Sequence, residues 1–183
     1  MATFVPKKIR LLCPAGTVQA VCYDFWDLGF QKGNWKGKPI IQPKVCFAFE
    51  LNKKIEEGQF AGERHRIMKR YTNSLEKKSR LKVDLESWLG KPFSNEGKYT
   101  FDLESMVGKN CFLSIIHDDT SGDTYANIAS IMSLPEGVSL MQADRQRSLP
   151  DWVKELKSKS VLPDGTEEPE EHPPVPNDEE IPF

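Results

Sequence analysis

The segment "IIQPKVCFAFEL", residues 40–51, decides the fold class. From Val45 to Leu51 a large apolar side chain occupies every second position, and smaller or charged residues stand between them. Successive side chains of a β-strand point to opposite faces of the sheet, so this alternation gives the strand one apolar face. A sheet that buries one face is therefore the expected framework, with Phe47 and Phe49 in its core.

Further strand signals lie on both sides of this segment. Residues 17–30, "TVQAVCYDFWDLGF", are rich in β-branched and aromatic residues, and residues 64–75, "RHRIMKRYTNSL", predict a third and unusually basic strand. Residues 110–119 and 124–134 predict two more strands, which flank the compact turn "TSG". The chain thus carries five predicted strands.

Helical signals are fewer. Between the third and fourth strands, apolar residues at helical spacing predict one amphipathic helix, which Gly90 can end: Leu81, Leu85, Trp88 and Leu89. Asn73 and Glu76 have the spacing of a capping box ahead of it. Shorter helices are predicted over residues 101–107 and over residues 149–158, where the second would dock Trp152.

The order strand, strand, strand, helix, strand, strand is typical of the OB-fold, a five-stranded antiparallel barrel with its main helix between strands 3 and 4. We therefore predict an all-β fold with minor α content and this barrel architecture. A mixed α+β sandwich of the same elements is the competing architecture. The predicted division is a folded domain over residues 1–150, followed by a linker and tail over residues 151–183.

Residues 163–183 differ sharply from the rest of the chain, since they hold six prolines and eight acidic residues but no lysine or arginine. Such a segment cannot bury enough apolar surface to offset the cost of ordering it, so we expect a disordered acidic tail. Of the 27 acidic residues, 19 remain in residues 1–162 against 25 lysines and arginines, a formal charge of +6. A basic body with an acidic tail indicates a polyanionic partner.

Two apolar side chains, Ile181 and Phe183, lie among the last three residues of this tail. Burying one such side chain in a partner's pocket contributes roughly 1.5–3 kcal/mol, and Pro182 lowers the cost of ordering the tip. The preceding acids would suit a basic rim around that pocket. We therefore expect a protein-binding tip that consists of Asp178, Glu179, Glu180, Ile181, Pro182 and Phe183.

Binding of single-stranded nucleic acid without sequence preference needs cations along the phosphates and flat side chains that stack on bases. Two clusters combine these groups. The first is the predicted loop "QKGNWKGKP", residues 31–39, with the strand before it, and its candidates are Lys32, Trp35, Lys36, Lys38, Tyr23 and Trp26. The second is the third strand, which carries basic residues at both parities, with candidates Arg64, Arg66, Lys69, Arg70 and Tyr71. Tyr125, beside the hairpin turn, is a further stacking candidate.

The sequence from Asp178 to Phe183 resembles the C-terminal tip of bacterial single-stranded DNA-binding proteins, which reads Asp-Asp-Asp-Ile-Pro-Phe. Two Asp are replaced by Glu, which keeps the charge. Residues 70–93 and 108–137 are similar to single-stranded DNA-binding OB proteins of bacteriophages. The resemblance implies a protein that coats single-stranded DNA in replication, recombination and repair, and whose tip recruits the enzymes of these processes. It also implies a bacteriophage origin and the cytoplasm of a bacterial host.

Signals for catalysis are weak. "GNWKGKP" lacks the spacing of a phosphate-binding loop, and Pro39 stands where a hydroxyl is needed. The acids of "HDDTSGD", residues 117–123, could serve a metal-dependent nuclease, but Asp is also common in tight turns. The four scattered cysteines are interpreted as buried reduced thiols. No cofactor, metal or membrane segment is predicted, and homo-oligomers are compatible with the sequence.

The sequence therefore predicts a non-enzymatic single-stranded DNA-binding protein. Two alternatives stay open. One is an adaptor of the replication machinery that uses the tip but does not bind DNA, and the other is the metal-dependent nuclease.

Overall fold

A computed structural model describes residues 11–94 and 96–161 of the chain. Its framework is one antiparallel sheet of five strands, which confirms the predicted all-β class with few helices. The strands are β1 Gly16–Trp35, β2 Lys38–Lys54, β3 Arg64–Thr72, β4 Asn110–Thr120 and β5 Asp123–Met132. The predicted turn between the last two strands is present, since β4 and β5 join at Ser121 and Gly122, both with positive φ.

The strands follow the order β3-β2-β1-β4-β5 across the sheet. β1 is central because it pairs with β2 over residues 20–35 and with β4 over residues 16–21. Its register against β2 shifts at Tyr23 and at Leu28, each an extra residue opposite β2. Bulges of this kind bend a strand, and here they place both side chains in the same cluster as Trp26.

The main core lies on one face of the sheet, which we call the inner face. Helix α1, Arg80–Leu89, covers this face, and its Trp88 ring lies 5.8 Å from the Phe47 ring and 5.3 Å from the Phe49 ring, centroid to centroid. The prediction that Phe47 and Phe49 belong to the core is therefore confirmed.

The helices differ from prediction mainly at their ends. α1 begins after Ser79 rather than at the predicted capping box, and it ends at Gly90, whose φ of 69° suits a left-handed C-cap. The segment predicted as a second helix holds a 3-10 turn, Leu103–Met106, preceded by the short helix α2, Gly97–Thr100. No helix in residues 11–94 and 96–161 has the length and apolar composition needed to cross a membrane.

A buried polar network joins the first and last strands of the sheet order. The Asp84 carboxylate on α1 accepts hydrogen bonds from Lys69 Nζ at 2.8 Å and from the Tyr71 hydroxyl at 2.7 Å. Lys69 Nζ also donates to the Ile128 carbonyl of β5 at 2.9 Å, and Arg80 donates to the Ala129 carbonyl. These bonds hold β3, α1 and β5 together because each buried charge has partners of opposite polarity.

Residues 141–161, which we call the C-terminal strap, cross the opposite, outer face of β1 and β2. Two buried carboxylates on the sheet anchor the first half of the strap. Glu50 accepts from the backbone N–H groups of Asp144 and Arg145 at 3.0 and 3.1 Å. Asp24 accepts from the Ser148 N–H at 2.7 Å and from Arg147 Nε at 3.0 Å.

The second half of the strap is helix α3, Asp151–Ser158. Its Val153 is fully buried, and Trp152 packs edge-on against Trp26 at 5.4 Å, so the predicted docking of this helix is confirmed. After α3, the Val161 N–H donates to the Phe30 carbonyl of β1 at 3.0 Å. The folded unit thus extends beyond the boundary predicted at residue 150.

All four cysteines are buried and unpaired, as predicted for reduced thiols. Burial raises the pKa of the Cys13 thiol to about 11 and that of Cys46 to about 12. Such thiols stay protonated near neutral pH and are poor nucleophiles.

Candidate nucleic-acid interface

The side chains of β3 separate by parity. His65, Ile67 and Tyr71 are buried, and Lys69 is half-buried beside them. On the outer face, by contrast, Arg66, Met68 and Arg70 are exposed, and Met68 keeps 49% of its accessible surface. Two cations with an apolar side chain between them therefore line one edge of the outer face.

A groove of about 420 Å³ lies beside this edge. Its lining combines three arginines, Arg64, Arg66 and Arg145, with aromatic side chains. The rings are Tyr23, Trp26, Phe60 and Trp152. A strand of unpaired nucleotides requires this combination of cations and ring surfaces along one path.

The C-terminal strap supplies one wall of the groove. The Arg70 guanidinium carbon lies 4.8 Å from the centroid of the Trp152 ring, in a cation–π arrangement. Sequence reasoning predicted that Trp152 docks but did not place it at the site, and it missed Phe60 and Arg145. Their proximity could not be predicted because they come from segments far apart in the chain.

Tyr23, which lines the groove, interacts electrostatically with two of the groove arginines. Burial raises the pKa of the Tyr23 hydroxyl, and the positive charges of Arg66 and Arg145 partly oppose that shift. Arg145 itself pairs with Glu63. The cation that faces Tyr23 most directly is therefore Arg66, which remains exposed to solvent.

The predicted loop over residues 31–39 is instead the end of a β-ribbon. β1 and β2 stay paired as far as Trp35 and Lys38, while β3 pairs with β2 only from Lys44 onward. The connection is the two-residue turn Lys36-Gly37 with φ values of 48° and 79°, which are typical of a type I′ hairpin.

The ribbon carries four of the six residues of the first predicted cluster: Lys32, Trp35, Lys36 and Lys38. Lys36 Nζ lies 4.8 Å from the centroid of the Trp35 ring, and the Lys32, Lys36 and Lys38 side chains are exposed. The structure thus brings Trp35, Lys36 and Lys38 together at the turn, while Lys32 lies further back on the ribbon, opposite Ile41.

Two predicted binding residues are corrected here. Tyr71 is 1% exposed and its ring lies in the inner core, so it presents no face to a base. Lys69 is committed to Asp84 and to the Ile128 carbonyl, where it links β3 to β5. Both residues fall at the inward parity of β3, and their roles are structural.

Three other predicted residues reach the groove but serve the fold as well. Tyr23 and Trp26 are largely buried under the strap and form the groove floor. Arg64 forms ion pairs with Glu50 at 3.0 Å and with Asp144 at 3.3 Å. These residues hold the strap in place, which leaves Arg66 and Arg70 as the accessible arginines of the predicted set.

Tyr125 lies elsewhere, on the β4–β5 hairpin opposite Asp118. It is 37% exposed but is not among the residues that line the groove. Around it, Asp118 accepts from Asn127 Nδ2 at 2.6 Å and Asp119 accepts from the Thr124 hydroxyl at 2.5 Å. Carboxylates at this hairpin repel phosphates, so Tyr125 is the least favoured candidate.

The hairpin acids also bear on the nuclease alternative. Within the part of the chain that the structure describes, no three His, Cys, Asp or Glu side chains are grouped to hold a metal ion.

The predicted tip, Asp178 to Phe183, and the predicted tail lie outside the described residues.

A scan of protein-family models gives no match to the chain, and a search of curated proteins gives none.

Proposed function

We propose that this chain is a non-enzymatic protein that binds single-stranded DNA without sequence preference, as part of DNA replication, recombination and repair. In this proposal the DNA follows the outer edge of β3, past Arg66 and Arg70, into the groove beside Trp152. The β1–β2 ribbon, with Trp35 and three lysines at its end, holds the strand from the other side.

The proposed architecture of the body is the OB barrel. Three observations support it: the strand order β3-β2-β1-β4-β5, the hydrogen bond from Lys69 on β3 to Ile128 on β5, and the position of α1 between β3 and β4. OB-folds commonly bind oligonucleotides on the face of strands 2 and 3 and with the loop that joins strands 1 and 2. In support, Arg64, Arg66 and Met68 of β3 line the groove, and the ribbon end is the connection between β1 and β2.

The observation that carries the functional proposal is the Arg70–Trp152 pair at the groove. An arginine stacked on a ring places a cation for phosphate next to a flat surface for a base. Base–aromatic stacking contributes about 1–3 kcal/mol per base and tolerates any base, because every base has a π-face. In a duplex those faces are already stacked on one another, so this surface favours unpaired strands.

Fluorescence anisotropy with labelled oligo-dT and a duplex of the same length tests the proposal, at several salt concentrations. We expect oligo-dT to bind more tightly than the duplex, with affinity that falls as salt rises. Absence of oligo-dT binding would favour the adaptor alternative. Cleavage of the oligonucleotide with magnesium or manganese, abolished by Asp118→Ala, would favour the nuclease.

We further propose that the tip, Asp178 to Phe183, recruits enzymes of DNA metabolism. The support is the match of these residues to the bacterial tip sequence, with Ile181 and Phe183 as the apolar anchors. A labelled peptide of residues 174–183 should bind an enzyme known to recognise the bacterial tip. The same peptide with Phe183→Ala should bind much more weakly, and equal binding by both peptides would refute the role of the anchor.

A further inference from the structure

A second cavity, of about 200 Å³, lies between β1, β2, β3 and α3. Every charged side chain that lines it in the described part of the chain is a cation: Lys32 of β1, Lys44 of β2 and Arg70 of β3. Leu28 and Leu156 form apolar parts of the wall. Three separate strands thus each contribute a cationic residue to the lining of one small cavity.

Lys44 is the unusual member of this set. It is only 4% exposed, and its Nζ donates to the Thr72 hydroxyl at 2.8 Å. Lysine is rarely buried to this extent, because removing an ammonium group from water is costly. A buried ammonium group in a partly apolar wall interacts more strongly with an anion than one in open water does.

Arg70 connects this cavity to the groove. Its guanidinium is stacked on Trp152, which lines the groove, while the same side chain lines the cavity. Stacking fixes the plane of a guanidinium, and the N–H groups in that plane can donate to two oxygens of one phosphate. Lys32 belongs to the ribbon end of β1, so the cavity lies between the groove and the ribbon.

We propose that Lys32, Lys44 and Arg70 form a binding site for a phosphate group. The inference rests on the proposed function for the source of that phosphate, a phosphodiester that joins a base at Trp152 to the nucleotides held by the ribbon. The same chemistry would accept free inorganic phosphate, so the test separates the two sources.

The test uses the full chain with two variants, Lys44→Met and Lys32→Gln. Lys44→Met removes the buried charge at similar volume, and Lys32→Gln removes the charge of an exposed side chain. Lys91→Gln is the matched control, because Lys91 is an exposed lysine after α1 that lines neither the groove nor the cavity. The readouts are oligo-dT affinity against salt, and the shift in melting temperature with inorganic phosphate relative to chloride at equal ionic strength.

We expect each cavity variant to bind oligo-dT roughly tenfold more weakly at 0.1 M salt. Loss of one phosphate contact should lower the slope of log K against log salt by about 0.7. Lys91→Gln should match the unmodified chain. Phosphate should stabilise the unmodified chain and the control more than it stabilises either cavity variant.

The outcomes separate the two proposals. If the unmodified chain binds oligo-dT and both cavity variants bind it with the same affinity and slope, the phosphate site is overturned while the proposed function stands. If no protein binds oligo-dT but phosphate stabilises all except the cavity variants, the site stands as one for free phosphate and the proposed function fails. If neither DNA nor phosphate acts on any of the proteins, both proposals are overturned.

Discussion

Neighbouring residues of β3 serve opposite purposes. Lys69 and Tyr71 face inward, where both bond to Asp84, while Arg66 and Arg70 face outward. The sequence shows this parity directly, since the two pairs fall at alternate positions. It does not show which parity is buried, because basic residues occupy both. Lys69 can lie at the inward parity because Asp84, 15 residues further along the chain, accepts its charge.

Arg66 and Arg70 should therefore contribute to binding without contributing much to folding. We expect Arg66→Gln and Arg70→Gln each to weaken oligo-dT binding by about 1 kcal/mol, roughly fivefold, because each removes one exposed cation from the path. Anisotropy titration measures the affinity and thermal unfolding checks the fold. Arg145→Gln is a useful comparison because Arg145 already pairs with Glu63. Unchanged affinity in both β3 variants would contradict the proposed path.

His65 should make the stability of the fold depend on pH. Burial lowers the pKa of His65, Lys53 lowers it further and Glu56 partly opposes this. The folded state thus binds the proton less tightly than the unfolded state, whose pKa is about 6.5. The contribution of His65 to stability is complete above that pH and declines as the pH falls below it.

Urea unfolding at pH 7.5 and pH 5.5 measures this effect. The loss of unfolding free energy between the two pH values should be smaller in His65→Gln than in the unmodified chain. Equal losses in the two proteins would show that His65 is not the group responsible.

At the scale of elements, the C-terminal strap decides the form of the outer face. Two carboxylates of the sheet anchor it. Glu50 accepts a hydrogen bond from the Asp144 N–H, 94 residues away, and Asp24 accepts one from the Ser148 N–H, 124 residues away. No local pattern signals such pairs, which is why the sequence predicted α3 but placed the domain boundary before it.

The ribbon was missed for a different reason: Lys36-Gly37 is a weaker turn signal than Asn-Gly, and the lysines around it suggested a loop.

Gly29 should be essential for docking the end of the strap. Its φ is +70°, and a Cβ there would lie 2.6 Å from the Ser160 hydroxyl oxygen, which accepts from the Phe30 N–H. Gly29→Ala should lower the unfolding free energy by at least about 1 kcal/mol, or about 2–4 °C in melting temperature. It should also speed hydrogen exchange at the Val161 N–H.

Gly33→Ala is the matched control for this change. Gly33 lies on the same strand, and a Cβ there would meet only Ile40 at 3.6 Å, an ordinary contact. The control should retain slow exchange at Val161. If Gly29→Ala also retained slow exchange and the original melting temperature, the strap would not depend on this close approach.

At the scale of the whole molecule, the fold separates a cationic part of the surface from an acidic part. The formal charge of +6 in residues 1–162 comes from 25 lysines and arginines against 19 acids. Within residues 11–94 and 96–161, the charged side chains are distributed unevenly over the fold. The ribbon and the outer side of β3 carry exposed cations, whereas the β4–β5 hairpin carries Asp118, Asp119 and Asp123. Composition predicted a polyanionic partner, but only the fold distinguishes the cationic side from the acidic one.

The amount of fold that sequence alone predicts has a physical limit. Alternation in β2 and the helical spacing around Trp88 depend on neighbours a few residues apart, so the strands, α1 and the core rings could be predicted. The groove depends on Tyr23, Phe60 and Trp152, which lie far apart in the chain and meet only once the sheet and the strap are in place. The candidate site was therefore predicted in part. The sequence pointed to Arg64, Arg66, Tyr23 and Trp26, but not to the other groove residues Arg145, Phe60 and Trp152.

Ultraviolet crosslinking of the full chain to bromodeoxyuridine oligonucleotides, with the crosslinked peptides mapped by mass spectrometry, tests most directly whether unpaired nucleotides lie along this groove and ribbon. Tyr99 is an internal control, because this residue is 77% exposed but lies neither in the groove nor on the ribbon. The account predicts crosslinks at Trp152 and Trp35, and fewer at Tyr99. Crosslinks confined to Tyr99 or to Tyr125, with none at Trp152 or Trp35, would contradict it.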